Sequence, residues 1–259
     1  MPLVEEEIKD KIGLITMNYP EKRNALSAEL MRELVDAFQD FQRRGMRVAI
    51  LKATAGSNVW SSGIDVTELP RSRRDPLGYF DPIEKVLRAV QEYPGPVIAM
   101  VHGGVWGGAC DLVMTCDMVV GDETSSFAIT PARIGLPYNV SGILHFMNRL
   151  GLNEAKEMFF TANPVTAEEA ERIGVLNHLV PSAKLMEFTM GLAKRIASHS
   201  PLAISVIKEQ FKILSSAHPI APEGFERIQG LRRRVYDSHD YEEGIRAFLE
   251  KRAPNFTGE

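Results

Sequence analysis

Apolar and polar positions alternate from Val4 to Met17, interrupted at Asp10-Lys11, and this period of two predicts a β-hairpin leading into a turn at Tyr19-Pro20-Glu21-Lys22. The period then lengthens. Leu30, Leu34, Phe38 and Phe41 share one helical face, with Ser27 placed to cap the start and Gly45 to end it. Arg47-Val48-Ala49-Ile50-Leu51 reads as a strand, followed by a turn-rich stretch from Ala53 to Gly63 and a helix around Ile83 to Gln91. Pro96-Val97-Ile98-Ala99-Met100-Val101 is a continuous apolar run of buried-strand type. Gly108 to Cys116 fits one short helix, and Met118-Val119-Val120 another strand. Strand and helix thus alternate through the first two-thirds of the chain, which predicts a layered α/β fold.

From about Asn153 the pattern is mainly helical. Thr166-Ala167-Glu168-Glu169 has capping-box spacing, and Pro201 stands where a helix can begin before Val206, Phe211 and Leu214. Leu176 to Val180 interrupts as a short strand. Gly224 to Arg252 reads as helical, its apolar members Phe225, Ile228, Leu231, Val235, Ile245 and Phe248 facing either their own core or a neighbouring subunit. The expected organisation is a core over residues 1–190 and a helical C-terminal region over 191–259.

At 259 residues and 44% hydrophobic, the chain suits one large domain, or one domain with an appendage. A formal charge of −4 argues against a nucleic-acid partner but leaves room for a small phosphorylated ligand on a local basic patch. Cys110 and Cys116 lack CxxC spacing and the six histidines form no HExxH, so buried reduced thiols are expected and a metal centre is not. The stretch Met1-Pro2-Leu3-Val4-Glu5-Glu6-Glu7 lacks the features of a signal peptide. No apolar run reaches the roughly 20 residues that cross a bilayer. A soluble cytoplasmic protein without a membrane partner is expected.

Two loops combine glycine with small residues directly after strand-like segments: Ser61-Ser62-Gly63-Ile64-Asp65 and Gly103-Gly104-Val105-Trp106-Gly107-Gly108-Ala109-Cys110-Asp111. Glycine permits close approach, and a loop entering a helix aims free N–H groups at an anion. Either loop alone is equally well explained by tight turning. The second is no P-loop, since no Gly-Lys-Ser/Thr follows.

Together with Asn24-Ala25-Leu26, in this order and spacing, these loops resemble the crotonase (enoyl-CoA hydratase/isomerase) superfamily over essentially the whole chain. The resemblance implies a crotonase fold, a spiral of ββα units with a helical C-terminal trimerisation region, acting on acyl-CoA thioesters as a homotrimer or dimer of trimers. It implies an oxyanion hole made by the backbone N–H groups of Ile64 and Gly108. It places coenzyme A near Lys22, Asn24 and Ala25, with Phe248 and Lys251 from a neighbouring subunit. Lys22 and Lys251, taken singly, read as solvated charges.

Hydratases of this superfamily use two glutamates. Here Asp111 takes the first position and Ala132 the second, and a methyl group carries no proton. Decarboxylation needs no initiating base, because loss of CO₂ itself makes the enolate. Further runs, Glu68-Leu69-Pro70, Leu136-Pro137-Tyr138-Asn139, Phe225-Glu226-Arg227-Ile228-Gln229-Gly230 and Val235-Tyr236-Asp237-Ser238, resemble the methylmalonyl-CoA decarboxylases of the superfamily. That resemblance implies a lyase without metal, biotin or other prosthetic group, with Tyr138 positioning the substrate carboxylate or nearby water. It departs at Ile64, where histidine is expected, and at Asp111, where glutamate is. Two plainer roles stay open: Tyr138 as a packed aromatic, and Asp111 as a helix N-terminal stabiliser. The alternative functions are a hydratase-like or thioester-hydrolysing activity and a non-catalytic acyl-CoA-binding protein.

Overall fold

The computed structural model describes residues 2–69, 78–216 and 221–258; Met1 and Pro70, which enter the readings above, lie outside them. β1 (Val4–Lys9) and β2 (Ile12–Met17) form the hairpin, with Asp10 in the left-handed conformation (φ 57°) that Asp tolerates at a turn. α1 (Ala28–Arg43) starts where expected, the Ser27 hydroxyl accepting from Leu30 N at 3.2 Å.

Three similar turns of chain follow. The first is β3 (Val48–Ala53), β4 (Val59–Ser61) and α2 (Pro82–Glu92). The second is β5 (Val97–Val101), β6 (Gly104–Trp106) and α3 (Gly108–Thr115). The third is β7 (Met118–Gly121), β8 (Ser126–Ala128) and α4 (Val140–Arg149). After α5 (Leu152–Thr161), β9 (Val165–Thr166) and α6 (Ala167–Ile173), β10 (His178–Leu179) completes the strands. The first strand of each turn joins one sheet, ordered β1-β2-β3-β5-β7-β10 among the described residues, and the second joins another, β4-β6-β8-β9. This is a spiral of ββα units.

Both faces of the larger sheet are covered, which accounts for its unbroken apolar runs. Ile15, Met17, Leu51 and Val101 face Leu34 and Phe38 of α1 and Val86 and Val90 of α2. Ile12, Leu14, Ile50 and Ile98 on the opposite face meet Leu185 and Ala193 of α7 (Leu185–Ala197). Residue 190 therefore falls within a helix that packs on the core. Cys110 and Cys116 are buried and unpaired, and burial pushes the Cys116 thiol up to about 12.

α8 (Pro201–Ser215), α9 (Pro222–Tyr236) and α10 (His239–Leu249) follow. The single helical stretch expected over 224–252 is thus two helices: Asp237 ends one, and the Ser238 hydroxyl caps the next by accepting from Tyr241 N at 3.2 Å. The capping box at Thr166 is half made, because Glu169 turns to Arg172 instead of reaching back. α8 buries no side chain in this chain, and Phe211 is 71% exposed. Among the described residues no helix is long and apolar enough to cross a membrane.

α10 is seated differently. A Cβ on Gly244 would stand 2.2 Å from the Ile134 carbonyl oxygen, so only glycine lets this helix lie against the short turn Pro131–Ile134. Leu69, Leu136, Tyr236 and Tyr241 close the seam as a small core of their own.

Candidate active site

β4 and β6 are parallel neighbours, so the loops after Ser61 and Trp106 leave the sheet side by side. Gly63 (φ 86°) makes that approach possible: a Cβ there would lie 2.5 Å from the Trp106 carbonyl oxygen and 3.2 Å from Gly108 N. Gly107 (φ 55°) then turns the chain into α3. Gly108 is the first residue of that helix, where N–H groups have no intrahelical acceptor and the helix dipole is positive. Leu26 fixes Ile64 from both sides, donating to Gly63 O at 2.8 Å and accepting from Asp65 N at 3.2 Å. Neither Ile64 N nor Gly108 N donates to an acceptor among the described residues. A Cβ on Gly108 would be 3.7 Å from Ile64 N and 2.8 Å from Ile64 Cγ1, so the two free donors are close neighbours beneath an apolar side chain.

They open onto a cleft of about 580 Å³ whose walls include Lys22, Ala25, Ile64, Gly108, Arg133 and Phe248. Lys22 Nζ is 3.1 Å from Asp65 Oδ2 and half exposed, so it stays available to an anion. Phe248 reaches the cleft from α10 of the same chain, where the seating of α10 at Gly244 brings it. Two other expected coenzyme A residues are not on the cleft wall. Asn24 is fully buried and spends its amide tying its loop to β4, accepting from Tyr19 N at 2.7 Å and donating to Trp60 O at 3.0 Å. Lys251 is exposed in the turn after α10, with φ 55°. Arg23 and Arg133, which sequence reasoning passed over, do line the cleft.

Beyond the two donors lies a chamber of about 20 Å³, bounded by Ile64, Ile83, Gly108, Asp111, Pro131, Leu136, Tyr138 and Asn139. The Tyr138 ring is held edge-on by Phe146 at 6.1 Å and Phe159 at 4.9 Å between centroids. Its hydroxyl is buried and has no hydrogen-bond partner among the described residues. Burial, then the nearby Asp111, hold this phenol well above its ordinary pKa, so it is a neutral donor. Ala132, assigned above to the second glutamate position, is exposed, and Pro131 beside it forms the wall instead. Proline likewise carries no proton.

Asp111 is buried, and its Oδ1 lies 2.6 Å from His145 Nδ1. His145 is the partner that the sequence did not reveal. The Asn139 side chain caps α4 by accepting from Gly142 N at 3.0 Å, and His145 of that helix faces α3, but nothing in the order of residues says which face that is. Glu84 of α2 accepts from the amide of Asn139 and from the Ser141 hydroxyl at 3.0 Å. Burial raises its pKa. The site thus offers two backbone donors, one phenol and one carboxylate already engaged, without a second carboxylate on the chamber wall among the described residues.

Comparison with known proteins agrees with this geometry. Residues 7–259 match the family model described as enoyl-CoA hydratase/isomerase. The chain is 47% identical to methylmalonyl-CoA decarboxylase of Escherichia coli strain K12, over 96% of this chain and 95% of that one. It is 35% identical to human enoyl-CoA hydratase domain-containing protein 3, mitochondrial, over 96% of this chain and 82% of that one. A solved structure of methylmalonyl-CoA decarboxylase with 2-nitronate-propionyl-CoA superposes with a TM-score of 0.97 at 46% identity, covering 99% of both chains. Another, complexed with 2S-carboxypropyl-CoA, gives a TM-score of 0.97 at 46% identity over 99% of this chain and 98% of that one. The architecture is the crotonase fold, and the chain belongs to the enoyl-CoA hydratase/isomerase family.

Proposed function

We propose that this protein is a carboxy-lyase that decarboxylates methylmalonyl-CoA to propionyl-CoA. One observation carries the reading: the free N–H groups of Ile64 and Gly108 open on an apolar chamber that holds a phenol but, among the described residues, no carboxylate besides Asp111. The 47% identity to the Escherichia coli decarboxylase supports it.

In this reading the thioester oxygen accepts from Ile64 and Gly108. The Tyr138 hydroxyl, unpartnered among the described residues, donates to the substrate carboxylate and turns it out of the thioester plane. The C–C bond then breaks, CO₂ leaves, and the electron pair becomes the enolate. The two donors stabilise that oxyanion, and each such donor is typically worth about 3 kcal/mol. A proton finally restores the C–H bond. The apolar walls Ile83 and Leu136 favour the step by keeping the carboxylate poorly hydrated. The coenzyme A phosphates lie near Lys22, Arg23 and Arg133, with Ala25 and Phe248 against the nucleotide.

The uncovered apolar residues of α8 and α9, among them Leu202, Phe211, Leu214 and Leu231, support assembly as a homotrimer or dimer of trimers. α8 and α9 then form the assembly surface of the C-terminal region, and the charge of −4 with reduced thiols suits the cytoplasm.

Purified protein given malonyl-, methylmalonyl-, ethylmalonyl- and crotonyl-CoA is expected to release CO₂ from methylmalonyl-CoA and to process ethylmalonyl-CoA more slowly, because the chamber is small. Hydration of crotonyl-CoA alone would instead make Asp111 an acid/base group. Tight binding without turnover would make the protein an acyl-CoA carrier.

A further inference from the structure

We propose that His145 is a charge-compensating positioning residue: its imidazolium neutralises the Asp111 carboxylate so that the chamber accepts the carboxylate of the substrate. The inference rests on the decarboxylase reading of this site. Tyr138 and Asp111 border the same small chamber. A Cβ on Gly142 would lie 2.4 Å from Tyr138 Cε1 and 2.7 Å from Asp111 Oδ2, so the ring edge and the carboxylate are neighbours. A substrate carboxylate held by the Tyr138 hydroxyl therefore arrives beside a resident one. Two carboxylates in one dry site do not both ionise unless a cation balances them. Glu84 adds a third acid just behind Asn139 and Ser141.

His145 has the geometry for this role. Its side chain is only 14% exposed, and its Nδ1 donates to Asp111 Oδ1 at 2.6 Å. The Gln91 side-chain amide lies 2.9 Å from the other ring nitrogen and, turned so that its oxygen faces the ring, accepts from the Nε2–H of the imidazolium; the Thr115 hydroxyl, donating to Asp111 O at 2.8 Å, packs against the first. The charged groups around it are Asp111 from α3, Glu84 and Arg88 from α2, Arg149 from its own helix, Asp117 after α3, and Lys208 and Lys212 from α8. The cations among these have other engagements. Lys208 is bound to Asp117 at 2.8 Å and to the carbonyls of Val90 and Gly95, and Lys212 to Glu209. Arg149 caps the carbonyls of Val113, Met114 and Asp117, and Arg88 lies over the Tyr79 ring. Among the described residues, His145 is the group in contact with Asp111 that can carry a positive charge. Burial works against its charge, but the hydrogen bond and charge of Asp111, then the charge of Glu84, outweigh it and raise the pKa. The charged form is therefore present below that raised pKa and lost as pH rises through it.

The test compares His145→Gln, Asp111→Asn and the double variant. His145→Gln is expected to raise KM for methylmalonyl-CoA about 10- to 100-fold, with kcat within about 3-fold of wild type. The double variant, lacking both charges, is expected to recover KM to within about 3-fold of wild type. Wild-type KM is expected to rise with pH as His145 deprotonates, a limb absent from the double variant. Affinity for propionyl-CoA, which has no carboxylate, is expected to be unchanged throughout. An unchanged KM in His145→Gln overturns the inference. So does an equal loss for both thioesters that the double variant does not recover, which would mark His145 as packing only. Binding of the inert carboxylate-bearing 2-carboxypropyl-CoA against propyl-CoA reads the same charge effect without turnover. Absence of decarboxylation by the wild type would refute the reading of the reaction, and the binding pair would still judge His145 separately.

Discussion

Gly108→Pro is expected to lower kcat on methylmalonyl-CoA by about 10²- to 10³-fold, the cost of removing one oxyanion donor. The backbone at this place accepts the substitution. Gly108 is the first residue of α3, where proline's fixed φ suits the helix and the missing N–H breaks no intrahelical bond. Its N–H serves no other acceptor among the described residues, so folding does not depend on it. The new ring does press on Ile64, whose Cγ1 would lie 2.8 Å from the added Cβ. Gly108→Ala supplies the control, since it brings the same Cβ but keeps the donor. Steady-state kinetics with a melting curve for each variant checks the expectation: Pro far slower than Ala at similar stability. Equal losses in both would mean that crowding of Ile64, and not the donor, limits the reaction.

Tyr138→Phe is expected to slow turnover by roughly 10- to 100-fold and also to raise the melting temperature of the ligand-free protein. Both effects come from one atom. A buried hydroxyl without a partner costs about 1–3 kcal/mol, and phenylalanine keeps the edge-on contacts with Phe146 and Phe159 while removing that cost. A hydroxyl kept at the expense of stability is what a substrate-binding donor requires, and the opposing signs separate this role from plain packing. A Phe variant that is less stable and equally active would show Tyr138 to be only a packed aromatic. Calorimetry and initial rates on the same preparation decide between the two.

The larger sheet was legible because its strands are long and buried on both faces, giving runs such as Val97–Val101. Helix starts were legible through their caps at Ser27, Thr166 and Pro201. The smaller sheet was not. Among the described residues β4, β6 and β8 have three residues each, embedded in glycine- and serine-rich chain, too short to display a period. Both loops that carry the free donors could be found, since Gly63 and Gly107 hold positive φ that other residues avoid. What no pattern could supply was the pairing of distant helices. The Asp111–His145 contact spans 34 positions and depends on how α3 and α4 face each other. The same holds for Phe248, whose side chain reaches its own cleft because Gly244 lets α10 settle on Ile134. Asn24 illustrates the converse, a residue expected near the ligand whose amide is engaged by Tyr19 and by Trp60 of β4.

The central claim is that the enolate here arises by loss of CO₂. The most direct measurement follows methylmalonyl-CoA carrying ¹³C in its free carboxylate, with CO₂ and thioester products monitored together. The expected result is labelled CO₂ and unlabelled propionyl-CoA in equal amounts. Intact labelled substrate, alongside conversion of crotonyl-CoA to its hydrate by the same preparation, would contradict the account.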